Sequence, residues 1–156
     1  MDFCIIISSK FSSPTMISHK TYLKITAFVV GSFGPIFFLG TMLPTSEPAR
    51  WTLDLLSFPL DNLQNYDAPT TRFLSALTGG FLFGWGICIW FLQQWVYDKA
   101  PNEVRKAVLI GLLAWFCLDS AGSFASGNAS NVIFNVAVLL IAAGNLWFPE
   151  KLNTQK

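Results

Sequence analysis

The sequence predicts an all-α, four-span transmembrane helical bundle with a short amphipathic surface helix in its first loop. Three observations carry this. Hydrophobic residues fill 53% of the 156 positions and charged residues only 12%. The charges avoid the long apolar runs, whereas a soluble amphipathic helix would carry a polar stripe. Each of those runs is also long enough to cross a hydrocarbon core of ~30 Å.

The first span is expected over residues 22–43. Pro35 lies in it after Gly31, Ser32 and Gly34, so a bend is expected near Gly31, where proline removes a backbone donor and displaces a carbonyl. A hinge or cavity wall is one use of such a bend; a static aid to packing is the other.

Residues 44–71 form the long loop. Within it Trp51, Leu55, Leu56 and Phe58 fall near one face at helical spacing, with Asp54 and Asp61 off it and Pro59 ending the pattern. That reads as a short helix lying at the membrane surface, a lid over the bundle end or a docking surface.

The second span is expected over 69–97, with Pro69 in the first turn and Arg72 directly after it. Ala76, Gly80 and Gly84 recur every four residues. Such a ridge lets another backbone approach closely, inside the chain or in a homodimer. The third span, 102–124, opens after Pro101, and the fourth covers 130–148. The one domain therefore runs over 21–149, between a poorly ordered leader (1–20) and a polar tail (150–156). Met1 and Met16 are both candidate starts, and the leader lacks the basic start and long apolar core of a signal peptide.

With four spans, one side carries Lys10, Lys20, Lys24, Lys99, Arg105, Lys106, Lys151 and Lys156, and the other only Arg50 and Arg72. The positive-inside rule then places both termini in the cytoplasm, or in the matrix or stroma of an organelle, with a bacterial inner membrane as the expected location.

The same topology gathers one polar set in the outer leaflet: Arg72, Asp119, Ser123, Asn131 and Asn135, with Ser120 beside them. An unpaired carboxylate in hydrocarbon is costly, so Asp119 is expected to reach Arg72 or the two asparagine amides. The set reads either as a ligand, ion or proton site or as a clamp that fixes helix packing.

The absences exclude several chemistries. The one histidine, His19, precedes the first long apolar run, so a haem held by membrane histidines is disfavoured. Phosphate-loop and dinucleotide fingerprints are missing, and no lysine lies deep in a span to anchor a Schiff base. Cys4, Cys88 and Cys117 have neither zinc spacing nor a disulfide pattern, and Cys88 and Cys117 read as buried apolar thiols. A net charge of +1 gives no footprint for nucleic acid. No cofactor, metal or catalytic set is expected. The expected partners are the lipid bilayer and a membrane protein or a second copy.

The segments RFLSALTGGFLFGWGICIW, VLIGLLAWFCLDSAGSFASG and NVIFNVAVLL resemble an uncharacterised group of small, mostly bacterial, four-helix membrane proteins. Its members share an Arg and a Gly-rich second helix, an acidic residue before a Ser/Gly turn, and a paired-Asn fourth helix. The resemblance spans Leu53 to Phe148 and implies the fold, without implying an activity. The sequence as a whole reads as a non-enzymatic accessory or structural component, with a small-ligand binder or transporter as the alternative.

Overall fold

The computed structural model describes residues 18–149; most of the expected leader and all of the tail lie outside the described residues, as does Cys4. Five α-helices follow one another: α1 (His19–Leu39), α2 (Glu47–Leu56), α3 (Pro69–Phe91), α4 (Pro101–Ala125) and α5 (Ala129–Ala143). A π-helical turn, Leu92–Val96, extends α3, and a 3-10 turn, Gly144–Trp147, extends α5. Among the described residues there is no strand. With these extensions, α1, α3, α4 and α5 are long and apolar enough to cross a membrane, at mean hydropathies of 1.6 to 1.7.

The boundaries have local causes. α1 begins before the expected position because Ser18 caps it, its hydroxyl accepting from the Thr21 N–H at 3.2 Å. Its C-cap is Gly40, a position where a side chain would strike Ser75, Tyr66 and Ala49. α3 and α4 each open on a proline, whose missing N–H costs nothing in a first turn.

α1 is the central element. It packs closely against α3 and touches α5 and α2, while α5 pairs with α4. α3 and α4 do not run as a close backbone pair; the Trp85 ring bridges them, its edge 3.5 Å from where a Cβ on Gly111 would stand. One core fills the Lys-rich end of the bundle, built from Leu23, Ile89, Leu112, Ala142 and Leu146. A smaller one, Phe37, Ala49 and Tyr66, seats α2 at the opposite end. At the Lys-rich end the start of α1 meets the α3–α4 turn and the end of α5. Lys20 pairs with Asp98 at 2.7 Å, and the His19 ring donates through Nε2 to the Asn145 carbonyl at 2.9 Å.

The small-residue ridge belongs to a different face from the one expected. Gly79 and Gly86 meet Gly34 and Gly31 so closely that a Cβ on Gly79 would lie 2.8 Å from the Gly34 carbonyl oxygen, and one on Gly86 would lie 2.6 Å from Gly31 Cα. Ser75 continues this contact by donating to the Phe37 carbonyl at 2.7 Å. Gly80 and Gly84 instead face open space, and Ala76 is only partly covered. Both sets repeat near the helical period, and one residue of offset turns the contact by about 100°. Pro35 is exposed on the outside of α1, so Gly34 rather than Pro35 makes the packing contact. Cys88 and Cys117 are free and also exposed on the outside of the bundle, which corrects their expected burial.

Helix α2 lies across the bundle end. Its Trp51 and Leu55 point away from the bundle, while Ala49 and Asp54 are buried beneath it. The Asp54 carboxylate is occupied by the Asn62 backbone N–H at 3.1 Å, which folds the loop back on the helix.

Candidate functional site

At the α2 end, α4 presents Asp119, Ser120 and Ser123, and α5 presents Asn131 and Asn135 one turn apart on the facing side. The four-residue spacings 119/123 and 131/135 put each set on a single face, so the two faces meet when the hairpin closes. Asp119 Oδ2 accepts from Asn135 Nδ2 at 2.6 Å and from Asn131 Nδ2 at 3.0 Å. The same amide groups also donate to hydroxyls, Asn131 to Ser123 Oγ at 2.8 Å and Asn135 to Ser120 Oγ at 3.1 Å. Asn135 is buried, while Asp119, Ser123 and Asn131 are half-buried. Each amide therefore replaces water for the carboxylate, as a polar group at membrane depth requires.

Of the polar residues expected together, Asp119, Ser123, Asn131 and Asn135 do meet. Arg72 does not join them. Its Nη1 donates to the carbonyls of Tyr66, at 2.8 Å, and Asp67, at 2.6 Å. It ties the end of the long loop to the start of α3, and α3 is not a close neighbour of α4. The guanidinium finds backbone acceptors beside it and has no need of a distant carboxylate.

A cavity of about 160 Å³ opens next to the cluster, between α2 and the α4–α5 turn. Leu53, Leu56, Ser57 and Gln64 line it from the loop side, and Ser123, Asn128 and Asn131 from the hairpin side. Ser130 fastens the two sides by donating to the Leu56 carbonyl at 2.8 Å. Tyr66, outside the spans, stands over the α1–α3 contact with its hydroxyl 3.4 Å from Ser75 Oγ. Burial holds its phenol above the usual tyrosine range, opposed in part by the Ser75 hydrogen bond. Among the described residues, no three His, Cys, Asp or Glu side chains converge as a metal site would require.

Reading the sequence missed a second polar group, at the Lys-rich end. Arg105, counted there only as a topological charge, is buried and donates through Nη1 to the Leu146 carbonyl at 2.6 Å, at the end of α5, where the helix dipole favours a cation. Gln93 is fully buried in the π turn, and its side-chain amide has no hydrogen-bond partner among the described residues. The available signal was a polar pair, Gln93 and Gln94, interrupting an otherwise apolar run.

Four apolar helices of spanning length around a sparse polar interior define a multi-pass integral membrane protein. The chain is similar to the "Uncharacterized membrane protein YabM" of Bacillus subtilis (strain 168), with 28% identity over 155 residues. The aligned region is 98% of this chain and 28% of that relative, so the chain spans under a third of its relative's length. No family model matches the chain, and no solved structure matches it.

Proposed function

We propose that this chain is a non-enzymatic accessory or structural element of a membrane assembly, oriented with both termini on the cytoplasmic side of a bacterial inner membrane. The observation that carries the reading is the engagement of Asp119. Its Oδ2 receives both amides of the next helix, so this carboxylate closes the α4–α5 hairpin. A clamp of this kind fixes helix packing. The open Gly80–Gly84 face is compatible with close approach by a further helix. The relative, more than three times as long, supports these helices working beside others. The orientation rests on the excess of lysine and arginine at the end that holds His19, Asp98 and Leu146.

The test is purification from the native membrane in mild detergent, followed by native mass spectrometry. A stoichiometric protein partner, retained by Asp119→Asn, is the expected result. A lone chain with no partner in native membranes overturns it.

The cavity beside Ser123, Asn128 and Asn131 favours one second reading, a small-ligand binder or transporter. In that case the purified chain carries a small polar molecule, and Asp119→Asn releases it while the fold persists.

A further inference from the structure

We infer that the outer groove between α1 and α3 is a binding site for one acyl chain of an anionic phospholipid, with Lys24 holding the phosphate. The groove has a volume of about 280 Å³ and is lined by Phe28, Gly31, Ser32, Pro35, Phe83 and Ile87 among others, with Trp90 at one end. Its walls are apolar. The one hydroxyl among them, on Ser32, is spent on the Val29 carbonyl at 2.9 Å. The groove exists because Gly31 and Gly86 bring the two backbones together while the flanking side chains, Phe28 and Phe83, project outward.

Length and charge select the occupant. On α1 the groove walls run from Ala27 to Pro35, and with Lys24 about one turn beyond them the stretch covers roughly 16 Å at 1.5 Å per residue. That is about half of a ~30 Å hydrocarbon core, the depth of a single leaflet. A transmembrane helix of a partner or a second copy would run the full thickness, whereas a lipid tail ends at the midplane. At the Lys-rich end the Lys24 ammonium stands 5.8 Å from the centre of the Trp90 ring, at the groove mouth. Lys20 is neutralised by Asp98, but Lys24 has no carboxylate partner among the described residues. A cation at headgroup depth above an apolar slot one leaflet deep matches a phosphate followed by an acyl chain.

The experiment is a native mass-spectrometric titration of the full chain with phosphatidylglycerol and with phosphatidylcholine of the same tails. Photocrosslinking with a phosphatidylglycerol carrying a diazirine on one tail accompanies it. The expected result is at least a fivefold preference for phosphatidylglycerol, erased by Lys24→Gln and kept by Lys24→Arg, with crosslinks on the peptide containing Phe28 or on that containing Phe83 and Ile87. Ser32→Leu, which fills the slot, should weaken both lipids; the crosslinks on the unmodified protein decide the matter if that variant does not fold. Equal binding of the two lipids, a preference that survives Lys24→Gln, or a second copy or protein partner crosslinked in the groove overturns the proposal.

Discussion

The Asn135 amide donates to the Asp119 carboxylate at 2.6 Å, helix to helix, with Ser120 Oγ as its second acceptor. Removing the acceptor is therefore worse than neutralising it. Asp119→Ala strands the Asn131 and Asn135 donors and should lower stability by about 1–3 kcal/mol. Asp119→Asn keeps an oxygen in place and should cost about 0.6 kcal/mol, the average of hydrogen bonds between membrane helices. Reversible unfolding in mixed micelles measures both. A loss for Asn as large as for Ala would show that the charge itself is needed.

Arg72 acts on the loop. Its bonds run to the Tyr66 and Asp67 carbonyls, so Arg72→Ala should cost about 1 kcal/mol and speed amide exchange and proteolysis between residues 57 and 68. Exchange in the α4–α5 hairpin should stay unchanged. A double-mutant cycle of Arg72 with Asp119 should give a coupling near zero.

The glycines of α3 divide by face. Gly86→Leu places a side chain against Gly31 and the Ala27 carbonyl and should destabilise by about 3 kcal/mol or more, since backbone cannot yield as a side chain can. Gly84→Leu meets open space and should leave the monomer's stability within about 0.5 kcal/mol. In the native membrane, loss of a partner on Gly84→Leu with the fold intact would mark that face as the contact.

Tyr66 makes the seating of α2 sensitive to alkali. Its folded pKa is raised, so the fold binds the phenolic proton more tightly than the unfolded chain does. The contribution is complete below the ordinary tyrosine value of about 10 and is lost as pH rises through the higher folded value. Phenolate absorbance followed against pH should show a late-titrating component whose amplitude falls by one tyrosine in Tyr66→Phe, and α2 should loosen in that late range only in the unmodified protein.

Much of the fold was legible because lipid leaves the backbone few options. Long apolar runs must be helical there, and Pro69 and Pro101 mark starts whatever the neighbours do. The pairing of Asp119 with Asn131 and Asn135 was legible for a related reason, since a short hairpin turn forces facing positions together. The partner of Arg72 was not legible. Its depth along the helix matches that of Asp119, but depth says nothing of lateral order, and α1 rather than α4 lies against α3. Gln93 and Arg105 escaped because burial at a helix end depends on what packs over it.

By itself, the sequence determined the solvent, the number of spans, the small surface helix and the polar residues that must find partners, because each follows from hydropathy and spacing along one helix. Tertiary structure alone decided which face of α3 meets α1, that Arg72 serves its own loop, and that an apolar groove opens between α1 and α3 beside Trp90. A helix repeats its small residues on several faces with nearly the same period. The choice among them is made by the backbone that comes to lie against it, and no spacing within one helix records that.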